Sequence, residues 1–125
     1  MGMGQKKGYQ ISEEAFKLSI LVIKYYKYTT KTDREFVLSK QILKSGTSIG
    51  ANVMEAQEAQ SKKDFLSKMS IALKEAIETK YRLRLLREGG YLSHFSEQNE
   101  MIDKANEMVG VLTKIVKTKK YNLSI

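Results

Sequence analysis

The sequence predicts an all-α chain folded as an antiparallel, up-down-up-down four-helix bundle, and three observations carry that expectation. Proline is absent from all 125 residues, so no position inside a helix lacks its N–H or clashes with the preceding turn. The body is rich in Lys, Glu, Leu and Ala, side chains that give up little rotamer freedom in a helix. Apolar residues recur at alternating steps of three and four, the spacing of one helical face, and short connections between long helices of similar length set successive helices antiparallel.

Four hydroxyl residues, Ser12, Thr32, Ser61 and Ser96, are placed to accept a hydrogen bond from an orphaned N–H at a helix start. The first helix is expected over 12–30, with Ile11 stapled onto Phe16 across its cap, after a flexible N-terminal tail at 1–10. The second, 33–59, opens on the capping box Thr32-Asp33-Arg34-Glu35. The third, 61–88, starts at the looser box Ser61 to Asp64 and ends at Gly89-Gly90, where glycine can turn left-handed. The fourth, 96–118, has the cleanest seam: Met101, Ala105, Met108, Leu112 and Ile115, widened by Ile102, Val109 and Val116. Residues 11–120 then form one domain, with a C-terminal tail at 121–125.

Composition narrows the function. Cysteine is absent, which excludes disulfides and thiolate metal sites and suits a reducing compartment. His94 is the single histidine. No apolar run approaches the roughly 18 residues that span a bilayer, and Met1 to Gln10 lack the apolar centre of a signal peptide, so a cytoplasmic protein with no membrane partner is expected. No phosphate-binding Gly-rich loop, His-Glu-x-x-His or Glu-x-x-His pair occurs. Glu75 and Glu78 stand one turn apart without histidine partners, which suits ion pairs better than acid–base chemistry. No catalytic, cofactor-binding or metal residue is expected, and the chain reads as a non-enzyme.

Three features point to function. The first helix is apolar almost all round: Phe16, Ile20 and Ile23 face one way, and Leu18, Leu21, Val22, Tyr25 and Tyr28 the other. Because one helix of a bundle should have one core face and one wet face, the patch from Leu18 to Tyr28 is expected to be an oligomer interface. In the second helix Gln41, Ser45, Ser48, Asn52 and Glu55 share one face at steps of four and three. Such short polar side chains are poor helix formers unless something hydrogen-bonds them, so the row predicts a buried polar network or a partly wet rim. Gly46 and Gly50 beside it permit close approach of another helix.

The third feature is the formal charge of +8, with a pI near 9.6, which creates a field attractive to phosphate polymers. An up-down-up-down bundle gathers Lys6, Lys7, Lys62, Lys63, Lys114, Lys117, Lys119 and Lys120 at one end, against Glu13, Glu14, Glu55, Glu58 and Asp64, with Tyr9 and Tyr121 as stacking surfaces. A second run, Lys80, Arg82, Arg84 and Arg87, lies at the far end of the third helix. Both are candidate nucleic-acid surfaces, RNA or DNA, and both are also compatible with ordinary solvated helix ends.

The string from Gln41 through Ser48-Ile49-Gly50-Ala51-Asn52 to Glu55-Ala56, then Asp64-Phe65, Ile71-Ala72 to Glu75 and Glu78 to Tyr81, and Gly90-Tyr91-Leu92 resembles the four-helix bundle proteins of the 23S rRNA intervening-sequence family. The likeness covers about residues 12–118. It implies a protomer assembling into a homopentamer, encoded in some bacteria within an insertion in the large ribosomal RNA gene. A related branch resembles the accessory protein of diversity-generating retroelements, a basic barrel that associates with a reverse transcriptase and with nucleic acid. The resemblance marks Ser48, Asn52, Glu55, Glu75 and Glu78 as family-pattern positions. Ala56 departs from it where glycine is common, and no proline precedes the second helix. The expected partners are further copies of the chain and RNA or DNA; the alternative is a protein-interaction scaffold or accessory subunit with no direct nucleic-acid contact, whose lysines only confer solubility.

Overall fold

A computed structural model describes the backbone of residues 3–124 and the side chains of residues 11–120. Among them are four helices and no strand: α1 (Met3–Thr32), α2 (Leu38–Gln57), α3 (Lys62–Glu88) and α4 (Gln98–Ser124). Each helix packs on its neighbour in sequence, and α4 returns to α1, while α1 and α3 sit across the bundle from one another. Three contacts tie the elements at one end. Ser12 Oγ of α1 donates to Gln57 Oε1 in the last turn of α2 at 2.9 Å, Lys68 of α3 pairs with Glu55 of α2 at 3.6 Å, and Lys119 Nζ of α4 lies 5.4 Å from the ring centre of Phe65 in α3. No helix among the described residues is long and apolar enough to cross a membrane.

Ile11, Ala15, Leu18, Val22 and Tyr25 of α1 form a buried stripe at steps of four and three, and Thr29 continues it. They meet Ile42, Ile49 and Val53 of α2, Met69, Ala76 and Leu83 of α3, and Met101, Met108 and Leu112 of α4. Gly46 sets the α1–α2 spacing, since a Cβ there would come within 3.0–3.1 Å of the Val22 methyls. At the other end of the core the Tyr25 ring packs edge-on against Phe95 at 5.2 Å, and its hydroxyl donates to the Tyr91 carbonyl at 2.8 Å. Burial pushes that phenol up to about 12, so it stays a donor and pins the α3–α4 connection onto α1.

The helix ends depart from the sequence reading in instructive ways. α1 is already helical at Met3, where a tail was expected, so Ser12 lies inside the helix. The Ile11–Phe16 staple does not form, because Ile11 turns to the core and Phe16 to solvent. α4 likewise continues to Ser124 through most of the expected C-terminal tail. Residues 1, 2 and 125 lie outside the described residues.

The second helix starts at Leu38 rather than 33 because α1 runs on through Thr32, which is therefore not a cap. Arg34 adopts φ 55°, and the N–H groups of Asp33 and Glu35 both turn back to the Thr29 carbonyl. The capping is done by Glu35 instead. Its carboxylate accepts from the N–H groups of Val37, Leu38 and Ser39 at 2.8–3.2 Å, a set of charge-assisted bonds at the positive end of a helix.

Ser61 caps α3 as expected, accepting from Asp64 N at 3.0 Å. Gly90 ends that helix at φ +84°. Tyr91 N donates to Leu86 O and Gly90 N to Arg87 O, the paired bonds of a Schellman turn. α4 starts at Gln98, two residues after Ser96.

Candidate functional site

The patch expected to join subunits is the inside of one subunit. Leu18, Leu21, Val22 and Tyr25 are 0–5% exposed within the single chain, and Tyr28 is half-buried with its ring 5.5 Å from Phe95. Leu18, Leu21, Val22 and Tyr25 cannot present an oligomer interface while the bundle is folded. The helix does have two apolar faces, but the outward one is the reverse of that expected from the sequence. The stripe through Ala15, Leu18, Val22, Tyr25 and Thr29 lines the core, and Phe16 (61% exposed) and Ile20 (39%) face water. The unbroken four-and-three spacing of the buried stripe was the signal that distinguishes them.

Sequence reasoning missed a second outward apolar strip on α3. Ile71, Ile77, Tyr81 and Leu85 are 39–61% exposed; Ile71 and Leu85 face away from the bundle, while Ile77 and Tyr81 turn toward α4. α1 and α3 are diagonal to one another across the core, with no close backbone approach, so their outward residues lie on opposite sides of the protomer.

The polar row of α2 divides along its length. Ser45 is buried against α3, its Oγ 2.8 Å from Thr79 Oγ1, which also reaches the Glu75 carbonyl at 2.8 Å. With one proton per hydroxyl, Thr79 donates to the carbonyl and Ser45 donates to Thr79. Asn52 Nδ2 donates to the Ser48 carbonyl at 2.9 Å, one turn back on its own helix. Gln41 and Glu55 are exposed, Glu55 pairing with Lys68. The row is therefore a register pin at Ser45 and a wet rim elsewhere.

The cations separate into two groups. The Lys119–Phe65 contact brings the start of α3 and the end of α4 to one end of the bundle, where Lys62, Lys63, Lys114, Lys117 and Lys120 are exposed. None of these five makes an ion pair among the described residues, whose pairs involve other cations. Lys119 is half-buried on the Phe65 ring. The side chains of Lys6, Lys7, Tyr9 and Tyr121 lie outside the described residues.

The run at the far end of α3 is split by helix geometry. Lys80, Arg84 and Arg87 line a groove of about 510 Å³ between α3 and α4, floored by Ile77, Leu83, Ile102, Ala105 and Val109, with Tyr81 and Asn106 at its edges. Arg82 points to the other flank and pairs with Glu78 one turn back at 3.5 Å. Among the described residues no carboxylate lines the groove, but Arg87 in its wall pairs through Nε with Glu88 at 3.8 Å.

The two remaining ionic contacts share Glu14 and are structural; one is to Lys17, three residues on in α1, at 3.4 Å. Glu14 of α1 and Lys104 of α4 are hydrogen-bonded. That bond holds the Glu14 carboxyl below its usual value and lifts the Lys104 ammonium above its own. Among the described residues no group of three or more His, Cys, Asp or Glu side chains is placed to hold a metal ion.

A family profile described as 23S rRNA-intervening sequence protein matches residues 7–114. No curated protein matches the chain. Among solved structures, a protein of unknown function from the S23 ribosomal protein family of Bacteroides thetaiotaomicron is 40% identical. The match covers 86% of this chain and 98% of that one, at a TM-score of 0.80. With the profile spanning most of the bundle and a solved relative of the same shape, this chain belongs to the 23S rRNA-intervening sequence protein family.

Proposed function

We propose that this protein is a non-enzymatic, cytoplasmic, oligomeric bundle that binds nucleic acid through basic surfaces pooled between copies. The observation that carries the nucleic-acid reading is the lysine end: Lys62, Lys63, Lys114, Lys117 and Lys120 are exposed together, free of ion pairs among the described residues. Mobile ammonium groups suit phosphate contact as point charges, and each one engaged releases condensed counterions. The family's description, which refers to 23S rRNA, makes RNA the first ligand to try.

Self-assembly rests on the outward residues Phe16 and Ile20 of α1 and Ile71 and Leu85 of α3, which lie outside the α3–α4 groove. Two different apolar faces on opposite sides of a protomer favour head-to-tail contact, which closes into a ring when the rotation per step allows it; the family resemblance suggests five copies. The pairings Ser12–Gln57, Glu55–Lys68 and Phe65–Lys119 support antiparallel neighbours, and with them the up-down-up-down course. A non-catalytic role is supported by the origin of the displaced carboxyls: Glu14 answers to an ion pair and Glu35 to a helix start.

The test is a fluorescence-anisotropy titration of a labelled RNA against wild type and Lys62→Gln/Lys63→Gln/Lys117→Gln/Lys120→Gln. All four positions are exposed, so the fold should survive, as circular dichroism would verify. Wild type is expected to bind at low salt and the variant to bind at least roughly tenfold more weakly. Equal affinity, or no binding by wild type, would end the nucleic-acid reading.

A further inference from the structure

We infer that the groove between α3 and α4 is a docking site for an acidic amphipathic helix of a partner protein. It lies on a different surface from the lysine end and does not depend on that end binding nucleic acid.

The shape and lining argue for a helix. Two packed helices leave a furrow between them that receives a third helix, ridge into groove. The floor here is aliphatic and comes from both walls: Ile77 and Leu83 from α3, Ile102 and Val109 from α4. Ile77 is 50% exposed although it belongs to this apolar floor, which leaves its surface available to a ligand's Leu or Ile anchors.

The charge argues for acids on one edge of that ligand. Lys80, Arg84 and Arg87 follow one another at steps of four and three along the α3 wall, so they form a row about 10 Å long, two helical turns. An adjacent helix offers Glu or Asp at the same steps. The α4 wall contributes uncharged Asn106, and among the described residues no carboxylate lines the groove. Arg87 is partly neutralised by Glu88, and the lining charge sits on the α3 wall alone, which fixes which edge of the incoming helix must be acidic. A nucleic-acid strand fits less well: the groove supplies one aromatic ring, Tyr81, for base stacking, and the rest of its floor is aliphatic.

The test uses the full-length protein and two fluorescent synthetic peptides of about 18 residues, long enough for five turns. One carries Leu at helical i, i+3, i+4, i+7 spacing flanked by Glu; the other has Lys in place of every Glu. Labelled oligouridylate is the third probe. The protein variants are Arg84→Glu/Arg87→Glu and, separately, Ile77→Asp, all at exposed positions, with helicity and Tm checked against wild type.

The acidic peptide is expected to bind wild type and to lose at least tenfold in affinity with either variant. The charge-reversed protein should instead gain affinity for the Lys peptide. Failure of the acidic peptide to bind wild type overturns the proposal. So does indifference to Ile77→Asp, which would mean mere adhesion to a basic surface. Oligouridylate binding that depends on Arg84 and Arg87, without peptide binding, would reassign the groove to nucleic acid. Loss of RNA affinity at the lysine end alone would leave the groove proposal standing.

Discussion

The buried hydroxyl pair between α2 and α3 supports an asymmetric prediction. In Thr79→Val the shape is kept but Ser45 Oγ loses the partner 2.8 Å away and is left in the core. Stranding a buried polar group costs about 2 kcal/mol. Ser45→Ala removes the same bond from the other side, yet Thr79 keeps the Glu75 carbonyl at 2.8 Å, and alanine recovers about 0.5 kcal/mol of helix propensity over serine. That single substitution should be close to neutral. The double variant strands nothing and should fall within about 0.5 kcal/mol of wild type, giving a coupling of about 1.5 kcal/mol between the two sites. Urea unfolding of all four proteins, followed by far-UV circular dichroism at one fixed protein concentration, measures it; the fixed concentration matters because assembly contributes to apparent stability. Effects that add to within about 0.4 kcal/mol, or a Ser45→Ala loss as large as that of Thr79→Val, would refute the hydrogen-bond assignment.

Three further outcomes are expected. Glu35→Gln should cost about 1 kcal/mol near neutral pH by weakening the cap on three N–H groups of α2. Burial raises the Glu35 carboxyl, but the N–H groups of Ser39, Leu38 and Val37 and the Ser39 hydroxyl outweigh it and hold the group below 4.5. A depressed folded value means that its stabilisation is present above the unfolded value and is lost as pH falls through and below 4.5. Thermal melts of wild type and Glu35→Gln should therefore converge in acid; a constant difference at every pH would contradict the cap. Gly50→Ala, where a Cβ meets nothing closer than 3.6 Å, should stabilise by up to about 1 kcal/mol, whereas Gly46→Ala, whose Cβ meets Val22 at 3.0 Å, should not. Equal gains in chemical denaturation would show that α1 is not pressed against α2 there. Leu18→Ala should lose about 2–5 kcal/mol as a core truncation, while Phe16→Ser/Ile20→Ser should leave protomer stability nearly intact and reduce the mass seen by light scattering; the reverse pattern would show that the Phe16 face lines the core and the Leu18 face the assembly.

The fold was legible because apolar spacing is a strong signal over long segments. The α4 seam from Met101 to Leu112 is buried as the periodicity implied, and the Ser61 cap and the Gly89-Gly90 stop both sit where hydroxyl and glycine chemistry put them. Boundaries were less legible when they depend on a neighbour. Thr32 to Glu35 has the composition of a capping box, but α1 consumes Thr32, and the Glu35 side chain reaches forward to cap α2 instead of back. The site was legible in its residues and not in their partition. Only one of the two apolar faces of α1 runs unbroken at four-and-three spacing, from Ile11 to Thr29, and the bulk of Phe16 and Ile20 on the other face obscures that difference. Lys80 to Arg87 reads as one run along the chain, and only the 100° step per residue sends Arg82 to Glu78 while its neighbours line the groove.

The central claim, that copies pool their lysines on nucleic acid, is tested most directly by the salt dependence of RNA affinity in wild type and in Phe16→Ser/Ile20→Ser. The five exposed lysines at one protomer's end can support a slope of log affinity against log salt of roughly −3.5 to −4.5. Pooling requires wild type to exceed that limit and the assembly-deficient variant to fall within it. Identical slopes in the two proteins would contradict the claim.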